Sequence, residues 1–465
     1  MSINEAMSKL KEIFGSRLII EEEMLEPYME DESYLREKPL AAIIPENVEE
    51  LEEIVKIAIK YRIPLTARGA GTSLSGGPVP VKNGIVIDFR RMNKILKIYP
   101  DDMQVLVEPG IIYDDLNAQL AKYNLFLPPN PSTSDQCTIG GMVAENAAGP
   151  RSFKYGTMRN WVLGLEVITS AIGKIWIGSR TKKWVSGYDL VRLFIGSEGT
   201  LGLITKVLLK LAPIPEKRIG IIIPFNDIEE AGKAIVRLTR SEVDISALEI
   251  IDKITMEAVN KVHNAGFPIS EAAILIEVEG TSEEVDLELE KIAKITEEFK
   301  VKEPGPLVFL DTNEMWSKRK LAGESLETIY GGRVDEDVVV PISNLPSLIK
   351  EIKRIAQQHK IQIAVFGHAG DGHLHPCILV EKSRAWEPEI EKVKEEIFKA
   401  AVKLEGSLSG EHGIGLAKKP YLHLEHSKET LEAFKLIKRA LDPYNIMNPD
   451  KKIISNKMNK QANIN

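Results

Sequence analysis

Cysteine is nearly missing from this chain: Cys137 and Cys377 are its whole complement in 465 residues. A disulfide framework is excluded, and a reducing, cytoplasmic setting is expected. Missing too is any uncharged apolar run near the ~18 residues of a membrane-spanning helix. The opening Met1 to Lys11 is charged and helix-like, without the apolar core of a signal peptide. The expected location is the cytoplasm, with at most a peripheral seat at the inner face of a membrane. There is no basic excess, since the net charge is −8, and nucleic-acid binding through bulk charge is excluded. All eight histidines lie at or beyond His263, so the first half has no imidazole chemistry. The first half reads as a binding half and the second as the carrier of an ionisable site. Core material is plentiful. Hydrophobic residues make up 43% and charged residues 28%, enough for a large core divided over roughly two to four domains.

Gly69, Gly71, Gly76 and Gly77 punctuate the stretch from Pro64 to Gly77, with Thr72, Ser73 and Ser75 among them. Glycine lets successive amides turn toward one point, and such a nest binds anions, typically phosphate oxygens. The stretch is not a Walker loop, because Gly76-Gly77 runs into Pro78. Nor is it the Rossmann fingerprint, because Leu74 stands where a Gly or Ala is needed. A second polar region runs from Pro128 through Pro131, Gly140-Gly141, Asn146 and Gly149 to Tyr155-Gly156-Thr157. A third is Gly196-Ser197-Glu198-Gly199-Thr200-Leu201-Gly202. Together the three would line a long groove for an extended ligand.

Asn47-x-x-Glu50 reads as a capping box ahead of an amphipathic helix over 48–60. Residues 85–87 and 104–107 read as strands, 111–123 as a helix and 204–211 as a strand. Cys137 is expected as a packed loop residue. Pro213 and Pro215 mark a boundary. Residues 216–300 then alternate strand and helix, which suggests a separate domain. The tail after Ile454 is polar and expected to be loose.

The second half carries Val365-Phe366-Gly367-His368-Ala369-Gly370-Asp371-Gly372-His373-Leu374-His375. On a strand, His373 and His375 share a face. Further on lies Gly410-Glu411-His412-Gly413. Imidazoles with one carboxylate suit a borderline divalent metal and leave coordination positions open for chemistry. From the residues alone, a metal-dependent hydrolase with a nucleotide-binding half is the alternative to a redox enzyme.

In order and spacing these clusters resemble the vanillyl-alcohol oxidase / p-cresol methylhydroxylase superfamily over residues 37 to 453. Within it the chain is similar to the FAD-linked D-2-hydroxy-acid dehydrogenases: the D-lactate dehydrogenases, the glycolate oxidase flavoprotein subunit and D-2-hydroxyglutarate dehydrogenase. The resemblance implies an α+β fold with an N-terminal helical segment (1–36) and a two-subdomain, PCMH-type FAD-binding domain (37–215). It further implies an α/β cap domain bearing the metal histidines (216–410) and a C-terminal segment packing back on the flavin (411–465). Arg68, Gly69, Ala70, Gly71, Thr72, Ser73 and Gly76 would hold the FAD pyrophosphate. Pro131, Thr138, Gly140, Gly141, Asn146, Gly149, Tyr155, Gly156 and Thr157 would follow the ribityl chain and flavin edge. Glu198, Gly202 and Ile204 would take the adenosine side, and Asn448 would return to the flavin ring.

By the same resemblance His368, His375 and Glu411 would bind the metal, zinc first, with manganese or iron as alternatives. His412 would be the base, and Arg319, in Met315-Trp316-Ser317-Lys318-Arg319, would clamp the substrate carboxylate. Relatives usually carry Asn where His373 stands, so His373 is an alternative ligand or a partner to substrate. With no histidine in the flavin half, the FAD is expected to be non-covalent. Relatives that use 2-hydroxyglutarate carry a Lys and a Thr where Asp335 and Gly323 stand here, which counts against a diacid. The implied reaction is oxidation of a D-2-hydroxy acid, D-lactate or glycolate, to the 2-oxo acid. Electrons would pass to a quinone, a cytochrome, an electron-transfer flavoprotein or an iron–sulfur subunit. A homodimer is compatible with this reading. An ether-lipid-synthase-like flavoprotein and a catalytically silent FAD-binding subunit share the flavin half.

Overall fold

A computed structural model describes residues 2–453; the polar tail expected after Ile454 lies outside the described residues. Three larger sheets organise them, beside a two-stranded one of Leu125–Phe126 and Ala212–Pro213. The first orders the strands Leu18–Ile19, Ala41–Ile43, Ile85–Asp88 and Leu65–Arg68, with the last three parallel. The helices Ile3–Phe14 and Val48–Tyr61 bury Leu10, Phe14, Leu51, Ile54 and Ala58 in its core. Asn47 caps the second helix by accepting from Glu50 N at 2.9 Å. The reciprocal half of the expected capping box does not form, because Glu50 accepts from Glu46 N and forks onto Arg17. The strand Leu65–Arg68 opens the glycine-rich stretch, which follows the helix Val48–Tyr61.

The second sheet is antiparallel, in the order Ile95–Tyr99, Gln104–Val107, Leu203–Lys210, Val162–Thr169, Gly173–Gly178. Cys137 is buried in its core. The segment around Met447 returns to the first sheet: Leu65 N donates to Ile446 O at 2.7 Å, and Asn448 N to Leu65 O at 2.8 Å.

The third sheet carries the chemistry. Its strands run Leu307–Phe309, Lys217–Phe225, Ala272–Gly280, Ile245–Asp252, Ile363–Gly367, His373–Leu379, Arg333–Asp335, all antiparallel, with Val338–Val339 beside His373–Leu379. Alternation along each strand sorts the side chains. Leu248, Ile250, Ile274, Ile276, Val278, Val365 and Leu374 face one core, under the helices Ile228–Thr239, Ser282–Thr296, Leu345–His359 and Pro388–Lys403. Each buried Leu or Ile there contributes roughly 1.5–3 kcal/mol. The opposite face carries Ile251, Leu275, Phe366 and Cys377, under Lys253–His263, Thr312–Lys320 and Ala322–Tyr330. On that same face the alternation also places Glu249, Glu277, Glu279, His373 and His375, all buried. Burying an ion costs several kcal/mol unless it is paired. One face of the sheet therefore supplies stability and the other supplies a site.

Candidate active site

Gly367, at φ +149°, lets the chain cross closely, since a Cβ there would lie 2.8 Å from His373 O and 3.0 Å from His375 N. The turn Ala369–Asp371 and Gly372 then fold His368 back over the strand His373–Leu379. The ring centroids of His368 lie 5.4 Å from His373 and 5.1 Å from His375, which are 4.6 Å from each other. Glu411 comes in from the carboxyl-terminal loop. One ligand atom from each of His368, His373, His375 and Glu411 falls within a 4.8 Å cluster. Glu411 Oε1 stands 2.9 Å from His368 Nε2 and 3.5 Å from His375 Nε2. His373 Nε2 and His375 Nδ1 are buried with no hydrogen-bond partner among the described residues.

The electrostatics favour a cation here. Burial opposes charge on His368, but the carboxylates of Glu249 and Glu411 outweigh it and lift the imidazole to about 10. Burial drops His373 to about 3 and holds His375 well below its ordinary value. These two are neutral imidazoles, the form that binds metal. Burial would raise Glu411, but His368 outweighs it and keeps it ionised. Three imidazoles and one carboxylate at this spacing could hold a divalent ion.

The supporting residues were not visible as motifs. Glu249 bonds His368 Nδ1, leaving Nε2 toward the cluster, and so fixes the ring in the manner of a carboxylate–histidine–metal triad. It also accepts from Arg319 Nε at 2.8 Å. Arg319 is thus buried over Phe366 and not a surface residue of a basic helix. A guanidinium has five N–H donors, and this contact uses one. Asp337 holds the other side: Oδ2 accepts from Glu411 N at 2.8 Å and His412 N at 2.7 Å, while Lys418 pairs with Oδ1. His412 stacks on His375 at 5.0 Å and 10°, and its Nδ1 is buried with no hydrogen-bond partner among the described residues. Burial lowers its pKa.

The glycine-rich loops meet this cluster. Ser75 Oγ donates to His412 O at 2.8 Å, and Leu416 N and Ala417 N donate to Ser75 O. Gly69 packs so closely on Thr138 that a Cβ would lie 2.2 Å from its Oγ1, joining the first and second regions. Gly71, at φ +80°, lies under the Arg68 guanidinium, and Arg68 Nη1 is buried with no partner among the described residues. Beyond Thr138 opens a cleft of about 490 Å³ lined by Arg90, Ile112, Asp115 and Gln136. A nest of turned amides, an unspent guanidinium N–H and an open cleft fit an extended dinucleotide. Gly149 is required at its place, because a Cβ would lie 2.3 Å from Asn130 O, beside Pro131.

Several expected cofactor contacts are spent inside the chain instead. Gly76 N donates to Asp31 Oδ2. Asn146 Oδ1 accepts from Thr157 Oγ1 and Arg159 N, so Asn146 and Thr157 bond each other. Tyr155 turns its hydroxyl to Glu279. A side chain on Gly156 would strike Asn160, one on Gly140 would strike Pro109, and one on Gly202 would strike Ile168 O. Gly141 N caps onto Thr138 Oγ1, and Ile204 is buried in the second sheet's core. Glu198 accepts from Ile414 N, Gly415 N and Lys452 Nζ. Asn448 donates to Gly77 O and Glu198 O and accepts from Lys451. Glu198 and Asn448 thereby tie the loops together.

Residues 39–178 match the family described as FAD binding domain, and residues 214–452 match FAD linked oxidases, C-terminal domain. Glycolate oxidase subunit GlcD of Bacillus subtilis is 37% identical over 422 residues, covering 89% of this chain and 88% of that protein. A D-lactate dehydrogenase of Archaeoglobus fulgidus is 34% identical, covering 97% and 99%. The solved structure of p-cresol methylhydroxylase with substrate bound shares the fold at a TM-score of 0.80 and 19% identity, over 96% of both chains. That of 4-ethylphenol oxidase from Gulosibacter chungangensis gives 0.81 at 19%, over 98% and 97%. The chain belongs to the FAD-linked oxidase family, with an FAD-binding domain of PCMH type ahead of its oxidase domain.

Proposed function

We propose that the protein oxidises a D-2-hydroxy acid, D-lactate or glycolate, to the 2-oxo acid and passes the electrons to an acceptor other than NAD. The observation that carries this reading is the seam itself: the loop holding the phosphate nest bonds directly, through Ser75, to the base-bearing residue His412. When bound, FAD supplies a two-electron acceptor, and a divalent ion, zinc first, held by His368, His375 and Glu411 with His373 beside them, supplies Lewis acidity.

The chain's own residues do the rest. Arg319 holds the substrate carboxylate with the N–H groups that Glu249 leaves free, which orients the carbon bearing the hydroxyl. His412, neutral and with an unspent ring nitrogen, takes the hydroxyl proton. Asp337 keeps Glu411 and His412 aimed from one carboxylate oxygen. The substrate is a monoacid: Asp335 already neutralises Arg333 and accepts from Cys377, so no free cation waits there for a distal carboxylate. The acceptor is a quinone, a cytochrome, an electron-transfer flavoprotein or an iron–sulfur subunit.

The test is anaerobic mixing of the purified protein with a panel of D- and L-2-hydroxy acids, with metal analysis of the same sample. Bleaching of the flavin by D-lactate or glycolate, and not by L-lactate or 2-hydroxyglutarate, is the expected result. A flavin that none of them reduces would overturn the assignment.

A further inference from the structure

Two acidic side chains meet where the flavin loop, the base-bearing loop and a short helix converge, and they are not equivalent. Glu145 is the last residue of the helix Ile139–Glu145. The turn bearing Glu198 docks on that helix end, with Gly196 N donating to Val143 O and Glu198 N to Ala144 O, both at 2.9 Å. Glu198 has φ +54° there. Both acids reach Gly413: a Cβ on it would lie 2.3 Å from Glu145 Oε2 and 3.1 Å from Glu198 Oε1. A Cβ on Gly77 would lie 2.8 Å from Glu145 Oε1 and 3.5 Å from Ser73 Oγ, so Glu145 also lines the nest.

Glu198 has the donors. Ile414 N at 2.9 Å, Gly415 N at 2.7 Å and Lys452 Nζ at 3.0 Å all point at its oxygens. Glu145 has none, and its Oε2 is buried with no partner among the described residues. It also sits at the negative end of a helix, which disfavours a carboxylate. The charged groups facing it are Glu198, Asp31, Lys451, Lys452 and Lys418, the last already paired with Asp337. Of these, Lys452 is given to Glu198, and Lys451 to Gly77 O, Val79 O and Asn448. When two carboxyl groups share a site, one takes the charge and the other keeps a proton. Donor count assigns the charge to Glu198. Burial first, and the Glu198 charge second, push the Glu145 carboxyl well above its ordinary value.

We propose that Glu145 stands at the flavin nest as a neutral carboxylic acid and donates a hydrogen bond to bound FAD. It makes this site a place where a side-chain O–H, and not only backbone amides, meets the cofactor. The inference rests on the FAD reading, which the flavin content of the wild-type protein checks separately; a colourless wild type overturns both.

The experiment compares wild type with Glu145→Gln, which keeps a neutral donor of the same shape, and with Glu145→Leu, which removes it. Three results are expected. FAD affinity measured by flavin fluorescence stays within about twofold for Gln and falls about tenfold for Leu, as a lost donor dictates. The infrared difference spectrum of wild type minus Glu145→Gln shows the C=O stretch of a protonated carboxylic acid. The melting temperature of Glu145→Gln, relative to wild type, climbs with pH. The sign follows because a raised native pKa gives stability that is full below the ordinary Glu value of 4.5 and drains as pH rises. A yellow wild type with no protonated carboxyl band, or a Gln variant that loses affinity like Leu, would contradict the proposal even if the Leu variant failed to fold.

Discussion

The two halves of this molecule bind by different means. The amino-terminal half is built on close backbone approaches: Gly69 packs on the Thr138 side chain, Gly71 under the Arg68 guanidinium and Gly149 on the Asn130 main chain. The carboxyl half grips with side chains, on one face of an antiparallel sheet whose other face packs an apolar core. Backbone sites are broken by adding atoms. Side-chain sites are broken by removing them. The contrast also says where each kind of damage will show.

The largest effects should separate the halves. Gly71→Val adds atoms under the Arg68 guanidinium at a positive φ, and the protein should purify without FAD, seen as loss of the yellow absorbance. Glu411→Ala should do the opposite: flavin content stays at wild-type level, while metal content and turnover are lost. If Glu411→Ala also lost its flavin, the separation would be wrong. His412→Ala should keep both flavin and metal and lose about 10²–10⁴-fold in kcat, the usual worth of a general base; stopped-flow reduction of the flavin reads this directly.

A smaller effect probes the joint between the halves. Arg151, beside the flavin region, forks onto Glu277 in the third sheet at 2.8 and 3.1 Å, and Trp316 and Ser246 also donate to that carboxylate. Breaking one partner of a buried pair costs about 3–5 kcal/mol, so Arg151→Met should lower the urea midpoint sharply. Burial alone would raise Glu277, but Arg151 outweighs it and holds it at about 2. A depressed carboxylate gives stability that is present above its ordinary value of 4.5 and lost as pH falls toward 2. The cost of Arg151→Met should therefore shrink in acid. Smallest of all, Ser75→Ala removes one neutral hydrogen bond to His412 O and should cost about 1 kcal/mol.

The same contrast explains what could be read from the sequence. Glycine clusters are local, so the nest and the two later regions stood out, and His373 and His375 declared their shared face by spacing alone. Glu249, Glu277 and Asp337 did not, because their partners lie far away along the chain: His368 and Arg319 for Glu249, Arg151 for Glu277, Lys418 for Asp337. A signal was present, since an acid inside an apolar strand, such as Glu277 or Glu279 in Ala272–Gly280, has to be paired or protonated. Gly76, Glu198 and Asn448 show the other direction. Their motifs were legible, but the hydrogen bonds they offered are taken by Asp31, the Ile414–Gly415 amides and Gly77.

The central claim is that a flavin held by the first half and a divalent ion held by the second act on one substrate between them. The direct measurement is the rate of anaerobic flavin reduction by D-lactate in protein stripped of metal with a chelator, then restored with zinc or manganese. The account predicts that stripped protein keeps its FAD, is still reduced by dithionite, loses at least about a hundredfold in its reduction by D-lactate, and recovers on restoration. Unchanged reduction by D-lactate in the stripped protein would contradict it.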